Sequence, residues 1–150
     1  MIWNEQRIRA AQSILDAWRG TPHRDNMAQM HVGIDCIHFV HEVLAGTGVV
    51  QRIKVPKYDT GIGYIIPSNR LAEQLEAALF CERVTGEYSF GDIAVLKTGQ
   101  TSAHCGFIAP PHLWHAVARR DVIRSPLVLW QHRFDRALRL TAEGWRNKPA

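Results

Sequence analysis

The sequence predicts an α+β fold in which N-terminal helices pack on a C-terminal antiparallel β-sheet. Apolar residues recur at helical spacing as far as about residue 80. After Gly86 the pattern changes to short apolar runs divided by Gly, Pro, Arg-Arg-Asp and Ser-Pro. The two regimes follow one another instead of alternating, which separates this class from a parallel α/β sheet. The chain has 150 residues, 46% hydrophobic and 21% charged, enough apolar content to bury a core without staples. No repeat, low-complexity tract or linker divides it, so one domain over 1–150 is expected.

The first helix is capped by Asn4 and carries Ile8, Ala11, Leu15 and Trp18 on one face; Gly20 and Thr21-Pro22 end it. The loop "GTPHRDNMAQMHVGI" leads to a second helix, capped by Asp35, running from Cys36 to about Ala45 and stopped by Gly46. A loop with Pro56, Gly61 and Gly63 precedes a third, "NRLAEQLEAALF", striped by Leu71, Leu75 and Leu79. Strands are expected in "GDIAVLK", "AHCGFIA", "LWHAVA", "DVIRS", "LVLWQH" and "ALRL".

The net charge of +4 is scattered and accompanies no nucleic-acid motif, so a nucleic-acid partner is not expected. No apolar run approaches the roughly 20 residues of a membrane span. Three cysteines, Cys36, Cys81 and Cys105, without a C-x-x-C pair argue against a disulfide framework and for a reducing compartment. The N-terminal stretch lacks the unbroken apolar segment of a signal peptide, and synthesis in the cytoplasm is expected.

The stretch "GIDCIHFVHEV" carries the chemistry. With Asp35 as cap, Cys36 takes the first helical position, where unpaired N–H groups and the positive end of the helix dipole favour a thiolate. A helix start also offers a backbone N–H to an oxyanion. A buried, inert cysteine is the competing reading. Two histidines weigh against it. His104 and His115 lie on consecutive strands joined around Pro110-Pro111. A turn centred between Ala109 and Pro110 sets them directly opposite; one centred at Pro110-Pro111 makes them diagonal neighbours. Either way they share a face, close enough for His115 to hold the His104 ring by a hydrogen bond. Cysteine at a helix start, histidine on a strand and an orienting polar residue on the next strand form the nucleophile, acid–base and orienter logic of papain-like enzymes. His115 in the third position orients without supplying a fixed negative charge.

These residues resemble those of the NlpC-type cell-wall cysteine peptidases, papain-like enzymes of bacteria and phages. The family's helix opens Asp-Cys-Ser-Gly-Phe, against Asp35-Cys36-Ile37-His38-Phe39 here. Its catalytic strand, His-Val-Gly-Ile, is matched by His104-Cys105-Gly106-Phe107, and its later His-Ala pair by His115-Ala116. Gly-x-Pro-Tyr appears as Gly20-Thr21-Pro22-His23, and Pro-Gly-Asp as Phe90-Gly91-Asp92. "WRGTPH", "FGDIAVL" and the tail "RSPLVLWQHRFDRALRL" look most like the branch of phage tails and gene transfer agents. The resemblance implies a papain-like fold and hydrolysis of peptidoglycan stem peptides by Cys36, His104 and His115. It implies substrate contacts near His23, Asp35 and His38, and possible partners among phage-tail proteins. Ile37-His38 in place of Ser-Gly, and His23 in place of tyrosine, depart from the family where substrate is contacted.

Other readings use the same residues. His31, Cys36, His38, His41, His104 and His115 are zinc-type donors but lack ligand spacing, so no metal and no cofactor is expected. Cys105 alternates to the face opposite His104 and reads as core; Cys81, at a helix end, and Trp114 and Trp130, in strands, read as core too. Two further function classes fit: a tail or assembly component that keeps the fold without the activity, and a thiol-dependent acyltransferase.

Overall fold

The structure, a computed structural model, describes residues 1–58, 67–98 and 102–149. Helix α1, Glu5–Trp18, begins where the Asn4 side chain accepts the Arg7 N–H at 2.9 Å, and it buries Ala11, Leu15 and Trp18. Its end follows from Arg19, which leaves helical geometry, and Gly20, at φ +86°. The following loop contains a hairpin the sequence did not announce, β1 (Ala28–Gln29) with β2 (Gly33–Ile34). Strands of two residues are too short to show alternation.

Helix α2, Cys36–Gly46, buries Phe39, Val40, Val43 and Leu44. Gly46 does not stop it as expected but lies in its last turn. A Cβ there would sit 2.7 Å from Ile14 Cδ1, so glycine lets α1 and α2 approach. The turn closes at Thr47, whose hydroxyl donates to the Val43 carbonyl at 2.8 Å. The expected turn glycines Gly61 and Gly63 lie outside the described residues.

Helix α3 runs over Ser68–Ala78, shorter than expected, because the chain passes directly into β3, Leu79–Arg83. Leu79 fits the helical stripe and the strand alternation alike, and pairing with the last strand decides for the strand. Cys81 is therefore a half-buried strand residue opposite Leu140, not a helix-end core residue.

The remaining strands are β4 (Ile93–Thr98), β5 (Ser102–Ala109), β6 (His112–Ala116), β7 (Val122–Pro126) and β8 (Phe134–Trp145). They form a six-stranded antiparallel sheet in the order β3-β8-β4-β5-β6-β7. The expected strand "LVLWQH" is instead two short 3-10 turns, Leu127–Leu129 and Gln131–Arg133. Val128 and Leu129 are largely exposed, so this apolar run has no alternating face to bury. Trp130, expected in a strand, stands between the turns, whereas Trp114 is a buried strand residue.

Alternation gives the sheet two faces. Ile93, Val95, Cys105, Phe107, Trp114 and Ala116 pack with Leu15, Phe39 and Val43 of the helices. Ala94, Leu96, Ile108, Leu113 and Ala137 pack with Leu127, Trp130 and Phe134 on the other side. The Phe90-Gly91-Asp92 stretch anchors β4 between them. Phe90 meets Trp3 and Phe107 edge-on, at centroid distances of 5.4 Å each. Gly91 adopts φ +89° with the Trp3 indole where a Cβ would be. Asp92, buried, accepts the Ser89 N–H at 2.7 Å and pairs with Arg139.

Candidate active site

Asp35 fixes the start of α2. Its carboxylate is almost wholly buried, which is tolerable only if every oxygen is hydrogen-bonded. One oxygen accepts the His38 backbone N–H at 2.8 Å, the N-cap bond, and the His38 ring Nδ1 at 2.7 Å. The other accepts the Asn26 N–H at 2.8 Å and the Tyr58 hydroxyl. Asn26 and Tyr58 are joined in turn, Asn26 Nδ2 donating to the Tyr58 carbonyl at 2.8 Å and Tyr58 N–H to Asn26 Oδ1 at 3.1 Å. Burial pushes the Asp35 carboxyl up, but the hydrogen bonds from His38 and Tyr58 outweigh it and hold it below its ordinary value. Burial and the adjacent carboxylate push the Tyr58 phenol far up, so it stays a donor.

Cys36 thus occupies the first position of α2, half-buried, with a backbone N–H that has no intrahelical partner. Its thiol is held well below the ordinary value. The hydrogen bond from the Cys105 thiol contributes most, burial opposes it, and the hydrogen bond and charge of His104 add to it. Cys105 responds in the opposite sense, pushed well up by that hydrogen bond and by burial.

The β5–β6 ladder pairs Phe107 with Trp114, Ile108 with Leu113 and Ala109 with His112. This is the register of a turn centred at Pro110-Pro111, and it makes His104 and His115 diagonal neighbours on one face. His104 Nε2 and His115 Nδ1 are 2.8 Å apart. His115 Nε2 lies 2.9 Å from the Ser125 hydroxyl, and Trp130 meets the His115 ring edge-on at 4.6 Å. His115 is fully buried, and burial with the neighbouring His104 charge pushes its pKa down to about 3. It stays neutral at every physiological pH. When His104 is an imidazolium, its Nε2–H donates to His115 Nδ1 and His115 Nε2–H donates to Ser125. That leaves His104 Nδ1 for Cys36.

Cys36, His104 and His115 therefore come together, and the His38 ring is turned back onto Asp35. The His23 ring lies toward Asp25, 3.9 Å from its carboxylate, while its backbone bridges to Ile34 and its N–H donates to the Arg120 carbonyl at 2.9 Å. His41 is elsewhere: buried on α2, it accepts the Ile53 N–H at 3.2 Å and stacks on Trp145. Among the described residues no three His, Cys, Asp or Glu side chains form a group able to hold a metal ion.

Three contacts were not read from the sequence. Cys105 does alternate away from His104, as its position predicts, yet belongs to the core cluster on which Cys36 packs and acts on the Cys36 thiol. Ser125 lies on β7 two places beyond Ile123, the partner of His115, and so on the same face, a parity that "DVIRS" carries once the β6–β7 register is known. Tyr58 sits in an irregular segment with no periodicity to signal it.

No protein-family model matches the chain, and no curated protein does. Several solved structures are similar, and two of them illustrate the likeness. One is an NLP/P60-family protein, similar to lipoprotein, from Staphylococcus aureus, with a TM-score of 0.61 and 17% identity. The similarity covers 92% of this chain and 42% of that protein, so this chain spans less than half its length. The second is the NlpC/p60 domain of the peptidoglycan hydrolase SagA, with a TM-score of 0.54 and 18% identity over 88% of this chain and 97% of that one. The fold is the NlpC/P60 fold. Its helices on a six-stranded antiparallel sheet are the papain-like arrangement expected from the sequence. Among the described residues no helix is long and apolar enough to cross a membrane.

Proposed function

We propose that the chain is a cysteine peptidase or amidase acting on amide bonds in peptidoglycan stem peptides. The observation that carries the reading is the hydrogen-bonded pair His104–His115, 2.8 Å apart, beside a thiol at a helix start. The NlpC/P60 fold, shared with a domain of a peptidoglycan hydrolase, supports the choice of substrate.

In this mechanism the Cys36 thiolate attacks the scissile carbonyl carbon, and the Cys36 N–H donates to the resulting oxyanion. His104, as imidazolium, protonates the leaving amine, and the C–N bond breaks to leave a thioester on Cys36. The now neutral His104 takes a proton from water as the water oxygen attacks the thioester, and the C–S bond breaks to release the carboxylic acid and restore the Cys36 thiolate beside the His104 imidazolium. His115, neutral throughout, holds the His104 ring while Ser125 holds His115. Asp35, with Tyr58 and Asn26, fixes the helix start that presents the thiol. The proposal extends to substrate contacts near His23, Asp35 and His38, which the sequence resemblance implies.

The sequence resemblance to the phage-tail branch extends the proposal to a protein carried in a phage-like particle and acting at the cell wall, with tail proteins as partners. The test is incubation of defined muropeptides with the protein and with Cys36→Ala, followed by mass spectrometry. Cleavage of an amide bond by the first and none by the second is expected. Intact muropeptides with a reactive Cys36 would favour a non-catalytic particle component, and a new amide or ester would favour acyl transfer.

A further inference from the structure

We propose that the cavity between α2, α3 and the end of β8 is a binding site for a linear fatty carboxylate, with the alkyl chain inside and the head group at two lysines. Cys36, His104 and His115 form no part of its wall, so it is a second site, beyond the hydrolytic one.

Helical spacing builds two of the walls. Ile37, Val40 and Leu44 recur at three- and four-residue steps and share one face of α2. Leu71, Leu75 and Ala78 do the same on α3. The segment carrying Ile53 and Val55 makes a third wall, held to α2 where the Ile53 N–H donates to His41 Nε2 at 3.2 Å. Trp145, the last residue of β8, and the residues after it make the fourth. Trp145 Nε1 donates to the Gln51 carbonyl at 2.8 Å. The Arg146 N–H and Asn147 Nδ2 donate to the carbonyls of Ala78 and Ala77 at 2.8 and 3.0 Å. This wall is thereby tied both to α3 and to the loop after α2. The space within is about 600 Å³, inside the ~300–1,000 Å³ of sites that take small organic molecules.

Two features select the ligand. Ile37, Ile53, Val55, Leu75 and Trp145 all line the cavity while only half-buried, and an alkyl chain would cover the apolar surface they leave to water. The charge is also of one sign. Lys57 and Lys148 line the cavity and are exposed, so their stems wall it while their ammonium groups reach water. Lys148 Nζ donates to the neutral Gln51 Oε1 at 2.6 Å, which leaves its charge uncompensated. Among the described residues no Asp or Glu lines the cavity. Apolar walls beside unneutralised cations favour a chain that ends in an anion. A peptide fits less well, because its amides would lose water against walls whose His41 Nε2 and Asn147 Nδ2 are already engaged.

Isothermal titration calorimetry of the full chain with dodecanoate, below the concentration at which it forms micelles, tests the proposal. Saturable binding is expected, with affinity falling by up to about fourfold for each methylene removed on going to octanoate. Dodecylammonium is expected to bind about fivefold more weakly or worse. Leu75→Asp and Val55→Asp each set a carboxylate on an apolar wall and should weaken dodecanoate about tenfold or more, with urea unfolding showing that the variants are folded. Lys57→Glu/Lys148→Glu alters exposed groups alone, keeps the fold, and should reverse the preference, so that dodecylammonium binds more tightly than dodecanoate.

No saturable binding of dodecanoate would overturn the proposal. Unaltered binding in the folded wall variants would put the chain elsewhere and overturn it as well, and so would an unchanged preference in the double-lysine variant. Muropeptide cleavage is read separately in the same proteins. Cleavage without dodecanoate binding leaves the hydrolase reading intact and ends this one; dodecanoate binding without cleavage does the reverse.

Discussion

Burial of a neutral histidine makes the stability of this fold depend on pH, and His115→Asn isolates that dependence. The His115 pKa is about 3 in the folded chain against an ordinary value of 6.5. Below pH 6.5 the unfolded chain takes up a proton that the folded chain refuses, so stability falls as pH falls and is fully present above 6.5. The slope is about 1.4 kcal/mol per pH unit, so the loss between pH 6.5 and 4.5 is roughly 2–3 kcal/mol from this one residue. That is a large share of the ~5–15 kcal/mol that holds a typical domain together. His41, whose pKa burial also lowers, and Asp35, whose pKa is depressed, act in the same direction but are common to both proteins. Asparagine leaves an amide group to meet His104 and cannot titrate. Urea unfolding at pH 7 and 4.5 measures the effect. The variant is less stable than the wild type at pH 7, having lost the ring that packs on Trp130, and the gap narrows by roughly 2–3 kcal/mol at pH 4.5. An unchanged gap would refute the assignment of His115 as a buried neutral group.

Two further perturbations test the scaffold. Asp35→Ala removes an N-cap worth about 1 kcal/mol and strands the buried donors of Asn26 and Tyr58 at about 1–3 kcal/mol each. A loss of roughly 3–7 kcal/mol in urea unfolding is expected, and less than about 1 kcal/mol would show that these donors find other partners. Gly91→Ala forces a side chain into left-handed backbone and into the Trp3 ring. It should cost about 2–4 kcal/mol and quench or shift Trp3 fluorescence, and a neutral substitution with unchanged fluorescence would contradict the packing described for β4.

Local signals made much of the site legible. Asp35 before an apolar helix names the cap and so the position of Cys36. Parity places His104 and His115 on one face for any even-length turn, and the structure selects the diagonal pairing. What was missed needs long-range information. Alternation correctly sends Cys105 to the helix side of the sheet, but it cannot say that the start of α2 arrives there. Ser125 joins His115 only through the β6–β7 register. Tyr58 reaches Asp35 from 23 residues away in a segment without regular structure. Elsewhere, local apolar content misled: Leu79-Phe80 extends a helical stripe yet pairs as a strand, and Leu127-Val128-Leu129 is apolar enough for a strand yet forms a 3-10 turn that buries only Leu127. In both places tertiary pairing decides what periodicity leaves ambiguous.

The central claim is that Cys36 is a thiolate maintained in part by His104. The rate of Cys36 alkylation by iodoacetamide against pH, in the wild type and in His104→Ala, tests it most directly and needs no substrate. The account predicts a wild-type thiol titrating well below the free-cysteine value of about 8.5, and an upward shift when the imidazole is removed. A Cys36 that titrates at or above that value, identically in both proteins, would contradict it and leave a structural cysteine at the start of the helix.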